Sequence, residues 1–184
     1  MQFYQELFNA QIGVWGRGFG EGRVELGDAC LMSPGARISA SDEVVLGNGC
    51  MMAHGSYITD SDWHGIYDRV NRDSTVKPVR LGDNVWLGDR ATVLKGVTIG
   101  DNSIVAASSV VTKDVPANVI VAGNPAIVVR ELDPSESRYT RDDMFRNPAE
   151  TQAYFHALDK ALLGDNSFWR WCVTTLYPRS RRKQ

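Results

Sequence analysis

Residues Leu81 to Pro116 read "LGDNVW LGDRAT VLKGVT IGDNSI VAASSV VTKDVP", six hexads in one unbroken frame. Each opens on an aliphatic residue: Leu81, Leu87, Val93, Ile99, Val105 and Val111. The fifth place of each is small or β-branched: Val85, Ala91, Val97, Ser103, Ser109 and Val115. A helix of 3.6 residues per turn cannot hold one apolar position in every six on a single face. Short strands joined by tight turns can, if each hexad forms one side of a triangular coil. The Gly-Asp-Asn corners at 82–84 and 100–102 bring turn chemistry to a fixed place in the hexad. Successive coils then stack at about 4.8 Å, each pairing its backbone with the coils above and below.

The frame extends upstream. "LGDACL MSPGAR" carries it with Leu26 and Met32 and runs into Ile38; after a two-residue insertion "LGNGCM MAHGSY" resumes it with Leu46, Met52 and then Ile58. Cys30 and Cys50 fall at the fifth, inward place, which makes them core residues. The third cysteine, Cys172, carries no chemical signal in the tail, and no metal or redox spacing links the three. A reducing, cytoplasmic setting is the default expectation.

The 184-residue chain is 43% hydrophobic and 23% charged, ordinary for a folded domain, and its net charge of -2 gives no reason to expect nucleic-acid binding. No stretch approaches the roughly 20 apolar residues needed to span a bilayer. The N-terminal "MQFYQELFNAQIGVWG" lacks a basic start and an apolar core, so it does not read as a signal peptide.

The segment Lys77 to Leu132, "KPVRLGDNVWLGDRATVLKGVTIGDNSIVAASSVVTKDVPANVIVAGNPAIVVREL", resembles the hexapeptide-repeat acyltransferases, and within them the maltose, galactoside and nodulation-type O-acetyltransferases. The resemblance covers residues 24 to 132, and "SSVVTKDVPANVIVAGNPA" is its most specific part. It implies an all-β fold, a left-handed parallel β-helix of hexapeptide repeats, with a homotrimer as the assembly and acetyl-coenzyme A as the donor. The expected organisation is an N-terminal cap over 1–23, the β-helix over 24–132 with a projecting loop over 59–80, and a C-terminal helical extension with a basic tail over 133–184.

The hexads break at "YITDSDWHGIYDR", Tyr57 to Arg69. An insertion can leave a stacked solenoid only at a corner, so Thr59 to Arg80 should project as a loop, and Trp63, Ile66 and Tyr67 give it apolar anchors. Family members carry their catalytic base at the start of a loop in this place, and the matching histidine is His64, with Trp63 as one extra residue before it. The chemistry needs such a group. A hydroxyl is too weak an acid to attack a thioester unaided, whereas an imidazole takes its proton near neutrality and returns one to the departing thiolate. A carboxylate on the other ring nitrogen would fix the tautomer; Asp62 and Asp60 are the local candidates, and a backbone carbonyl would serve as well.

The resemblance also places the donor. Ala107 and Ser108 match positions along the pantetheine arm, Asp89 stands where serine is frequent, and Thr112, Lys113 and Arg130 match positions around the nucleotide phosphates. Trp86, outward in its hexad, can cover the arm or the acceptor cleft. On the acceptor side Ser33 would stand in for a family asparagine on an earlier coil, and His54, Asp60 and Trp63 complete the set. No metal is expected. Two departures matter: the missing asparagine puts a maltose or galactoside acceptor in question, and Ile127 replaces a frequent lysine.

Beyond Leu132 helix signals begin. "NPAETQAYFHALDKALLG" offers Asn147 as N-cap, Pro148 in the first turn, Glu150 three residues after the cap and Gly164 as stop. A second helix from about Ser167 to Tyr177 precedes Pro178, and with the basic run Arg179 to Gln184 it suits either packing or contact with a membrane surface. The leading functional expectation is O-acetylation of a sugar or glycan hydroxyl. The alternatives are N-acetylation of an amino sugar or antibiotic, or a non-catalytic hexapeptide scaffold. A zinc-dependent carbonic anhydrase on the same fold is excluded by the want of a third histidine near the coils.

Overall fold

The computed structural model describes residues 9–15, 22–70, 75–136, 138–164 and 167–176. The chain divides into two compact units, Met1–Asp142 and Asp143–Gln184. The first is the left-handed parallel β-helix, and its three faces are three parallel sheets. Side A stacks β1 (Gln11–Val14), β4 (Arg37–Ala40), β7 (Tyr57–Thr59), β10 (Thr92–Val93) and β13 (Val110–Val111). Side B stacks β2 (Arg23–Leu26), β5 (Glu43–Leu46), β8 (Val79–Leu81) and β11 (Thr98–Ile99). Side C stacks β3 (Leu31–Met32), β6 (Met51–Met52), β9 (Trp86–Leu87), β12 (Ile104–Val105) and β14 (Val119–Gly123), and β15 (Ala126–Glu131) folds back antiparallel on β14 to close it.

The hexad governs the packing directly. Leu81, Leu87, Val93, Ile99, Val105 and Val111 are all buried, and so are the fifth-place residues Val85, Ala91, Val97, Ser103, Ser109 and Val115. The fourth place takes the left-handed backbone conformation at the corners: Asn84 and Arg90 at φ 56°, Asn102 and Ser108 at φ 59°, Gly96 at φ 75°. Asn and Gly tolerate this region best, which explains the Asp-Asn and Lys-Gly corners. The second place is tight for another reason: a Cβ on Gly100 would lie 2.4 Å from the backbone nitrogen of Ala117. One corner is also laced by side chains, with the Asp101 and Asp83 carboxylates accepting from the backbone N–H groups of Asp83 and Asn48.

Register shows where the solenoid is interrupted. Val110 lies opposite Thr92, a normal coil of 18 residues, whereas Thr92 lies opposite Tyr57, 35 residues earlier. The excess leaves the corner between sides A and B as the loop. Tyr57 pairs with Arg37, 20 residues back, which locates the two-residue insertion at Ser41–Asp42. Among the described residues the coil already includes Gln11–Val14, ahead of the expected start at residue 24, because β1 pairs in register with β4. Its frame was hidden: Gln11 precedes Arg37 by 26 residues, so eight extra residues interrupt the first coil. The rest of the expected cap, residues 1–8 and 16–21, lies outside the described residues.

The second unit holds most of the C-terminal helices. After α1 (Arg141–Arg146), α2 (Pro148–Leu163) begins as expected, with the Asn147 side chain accepting from the Glu150 N–H and donating to its carboxylate, and Gly164 at the C-cap. Helix α3 (Phe168–Leu176) leaves Phe168, Trp169 and Leu176 exposed. The expected stop at Tyr177–Pro178 and the basic tail lie outside the described residues. No helix among the described residues is long and apolar enough to cross a membrane.

Candidate active site

Three corners separate the sides, and all but two of the sequence-predicted residues fall on two of them. The corner between sides C and A stacks Ser33, His54, Asp89, Ala107 and Ser108, one coil above the next. Arg90 N–H donates to the His54 carbonyl, Ser108 N–H to the Asp89 carbonyl, and Gly35 packs on the His54 ring. Thus residues expected on the acceptor (Ser33, His54) and on the coenzyme arm (Asp89, Ala107, Ser108) form one continuous ridge. The other corner, between sides A and B, carries Thr112 and Lys113 and, higher up, the loop with Asp62, Trp63 and His64. Trp86 stands apart on the outer face of side C, and Arg130 lies opposite Ile120 there.

His64 is exposed at the mouth of a shallow pocket of about 560 Å³ lined by Asp62, Gly65, Ile66 and Arg69. Its Nδ1 lies 2.9 Å from the Arg69 carbonyl oxygen. A carbonyl can only accept, so Nδ1 carries the proton and Nε2 is left as the basic nitrogen. The ring is therefore oriented by backbone and not by a carboxylate, which corrects the expectation for Asp62. That side chain instead takes the Lys95 ammonium and the Thr75 hydroxyl, the latter at 2.8 Å. Hydrogen bonding to Lys95 holds the Asp62 carboxyl below its ordinary value of 3.8, with Thr75 adding to the effect against partial burial. A depressed carboxylate stabilises above its unfolded-state value and loses that contribution as pH falls through and below it. Asp62→Asn at neutral pH, or wild type brought below about pH 4, is accordingly expected to speed amide exchange across the described loop residues 61–70. Equal protection in variant and wild type would show that the pair does not tether the loop.

Asp60 also departs from expectation. It is fully buried, and its carboxylate accepts from the backbone N–H groups of Ser41 and Asp42 at 2.7–3.0 Å. In this position it holds the fold and cannot touch an acceptor. Trp63 is pinned as well: its backbone is left-handed at φ 65°, its indole N–H donates to Thr59 Oγ1 at 3.1 Å, and its ring meets Trp15 edge-on at 6.5 Å. A bulky residue in that region costs about 1–3 kcal/mol and persists only where its surroundings hold it. Here it aims the next residue, His64.

Two residues passed over in the sequence emerge on side A. The Arg37 guanidinium carbon lies 4.2 Å from the Tyr57 ring centroid. Burial alone would raise the Tyr57 hydroxyl, yet hydrogen bonding with Thr59 and Ser39, and the Arg37 charge, bring it below the ordinary phenol value. The available signal was positional: sixth places of the hexad point outward at mid-strand, and Arg37 and Tyr57 are such places. Two potential nucleophiles on the coil are sequestered. Cys50 is buried, its thiol pushed up to about 12 by burial, and Ser56 is buried with its hydroxyl donating to the Ala53 carbonyl.

Residues 78–113 match the family model of the bacterial transferase hexapeptide, six repeats. Over that segment the chain is similar to the hexapeptide-repeat family. Over 71 residues it is 45% identical to the galactoside O-acetyltransferase of Escherichia coli K12, covering 39% of this chain and 35% of that protein. The matched stretch thus spans about a third of the curated relative's length. Among solved structures, this hexapeptide-repeat chain resembles a hexapeptide-repeat containing acetyltransferase of Vibrio cholerae O1 biovar eltor complexed with acetyl coenzyme A, with TM-score 0.57, 27% identity and coverage of 70% and 74% of the two chains. It also resembles a polysialic acid O-acetyltransferase, with TM-score 0.56, 27% identity and coverage of 78% and 71%.

Proposed function

We propose that this protein is an acyl-coenzyme A-dependent O-acyltransferase that moves an acetyl group from acetyl-coenzyme A to a hydroxyl of a sugar or glycan, with His64 as general base. The observation that carries the reading is the His64–Arg69 hydrogen bond, which leaves Nε2 free to accept a proton near the start of the long loop that leaves the coil. Two similar proteins bear carbohydrate O-acetyltransferase names, and a third, a hexapeptide-repeat containing acetyltransferase, was solved with acetyl coenzyme A. His64 Nε2 takes the acceptor's hydroxyl proton as the oxygen attacks the thioester carbonyl, and the resulting imidazolium returns that proton to the departing thiolate. With Cys50 and Ser56 sequestered, transfer is direct, through a ternary complex and without an acyl-enzyme.

The chain suits this donor. The ridge Asp89–Ala107–Ser108 is exposed and small-sided, so an extended arm with two amides can approach backbone groups closely. Lys113 and Arg130 are exposed cations able to pair with phosphates. Neutralising either is expected to raise the Michaelis constant for acetyl-coenzyme A more than it lowers turnover, and added salt should mimic the change. An unchanged Michaelis constant in both variants would remove them from the donor site.

The assembly belongs to the same reading. The base and Lys113 lie on one corner of side A, and the ridge on the other, so a single chain offers two half-sites; a neighbouring copy brings unlike halves together. Sedimentation equilibrium should give three times the 20.4 kDa chain mass, and a fully active monomer would overturn the shared site. A reducing cytoplasm suits the free, largely buried cysteine Cys50.

The function as a whole is tested by initial rates with acetyl-coenzyme A and a panel of glycans, amino sugars and aminated antibiotics. Intersecting patterns with acetyl appearing on acceptor oxygen are expected. Acetylation of nitrogen alone, or a stable acetyl-protein that acceptor discharges, would overturn it.

A further inference from the structure

Side A carries a second recess, of about 330 Å³, lined by Asn9, Gln11, Gly35, Arg37, Ser56 and Tyr57. Its chemistry is distinct from the loop pocket. Arg37 is exposed, its guanidinium carbon over the Tyr57 ring, and no carboxylate among the described residues pairs with it. On side B, by contrast, Arg23 and Arg80 both bond to Glu43, while Arg90 lies beside Gly55 in the recess wall and adds to its positive character. A guanidinium held over a tyrosine ring has already lost part of its side-chain freedom, so taking an incoming carboxylate costs it less entropy. Tyr57 stands beside Thr59 and Ser39, whose hydroxyls help to hold its phenol below the ordinary value.

The recess is also physically joined to both halves of the transfer site. Gly35 and Gly55 in its wall are corner residues of the ridge that runs down through Asp89 and Ser108. On its other flank the chain Arg37–Tyr57–Thr59–Trp63 leads by direct contact to the residue before His64. A group bound at Arg37 therefore sits beyond the upper end of the arm ridge, on the face from which the base projects.

Resting on the transferase reading above, we propose that Arg37 is a specificity-determining residue that selects acceptors bearing a carboxylate, an acidic sugar such as a hexuronate or a carboxylated glycan terminus. The planar fork takes the carboxylate through two parallel N–H···O bonds, and the Tyr57 ring edge and glycine-lined wall accommodate the sugar ring beside it. A neutral acceptor of the same shape leaves that cation unpaired and gains nothing from it.

The test uses the full-length protein with three acceptors of one stereochemistry: the hexose, its hexuronate and its 6-phosphate. Wild type should favour the hexuronate over the hexose by about 10- to 100-fold in kcat/KM, the span of a charge-assisted bond. Arg37→Gln should collapse that ratio to near one, and Arg37→Lys should restore part of it. Equal use of hexuronate and hexose by wild type, a preference surviving in Arg37→Gln, or a greater preference for the phosphate would each overturn the assignment. Saturation-transfer NMR with the hexuronate alone separates the two readings: Arg37-dependent binding without transfer to any acceptor keeps this site and sinks the transferase, whereas transfer without Arg37-dependent binding does the reverse.

Discussion

Asparagine in place of His64 is expected to lower turnover by about 100- to 10,000-fold, the span of a positioned acid–base group. Asparagine can keep a donor near the Arg69 carbonyl, which His64 now meets at 2.9 Å, so the loop should hold its shape while losing its proton acceptor. The dissociation constant for acetyl-coenzyme A should hardly move, because the base meets the acceptor hydroxyl and not the nucleotide. Turnover of the variant should respond to added imidazole, a readout that a merely structural role would not give. Single-turnover measurements exclude product release as the slow step. A variant retaining more than about a third of wild-type turnover under those conditions would remove His64 from the chemistry.

The largest effect on stability is expected at Asp60. Its carboxylate receives two N–H groups from the Ser41–Asp42 corner, and its own carbonyl accepts from Lys77 N–H at 3.0 Å, so one buried residue ties the inserted corner to the neck of the loop. Asp60→Ala strips both corner donors of their partner inside the protein and is expected to cost about 3 kcal/mol, since bonds to a charged acceptor are worth about 1.5–3 kcal/mol each. Asp60→Asn keeps one acceptor and turns an amide NH₂ toward the other donor, so its loss should be comparable or slightly smaller. Urea unfolding monitored by circular dichroism gives the values directly. A change within about 0.5 kcal/mol for the alanine variant would mean that the corner finds other partners. Turnover should fall alongside stability, because the neck that Asp60 secures carries Trp63 and His64.

The β-helix was legible because its physics is local and repeated. One inward position in every six, glycine at the close approaches and Asn or Gly at the left-handed corners impose the same coil wherever they recur, and every predicted inward residue from Leu81 to Val115 is buried. The helix α2 cap was legible for the same reason, since Asn147, Pro148 and Glu150 act within one turn. The coil at Gln11–Val14 was not, because eight extra residues separate β1 from its frame and its register is set only by pairing with β4.

The site divides along the same line. The sequence alone determined that the coil breaks at a long loop and that this loop carries an imidazole, His64. Tertiary structure alone decided what each neighbour of that histidine does. Asp62 and Asp60 look alike as carboxylates near an imidazole, yet one reaches Lys95 across the loop and the other is buried under the Ser41–Asp42 insertion, a coil earlier. Ser33, His54, Asp89, Ala107 and Ser108 became one ridge, and Arg37 met Tyr57, only through stacking of coils 18 to 35 residues apart. The hexad fixes which way a side chain points; which coil lies beside it depends on the lengths of insertions, and those are settled by the pairing of strands and the satisfaction of backbone groups the insertions leave open.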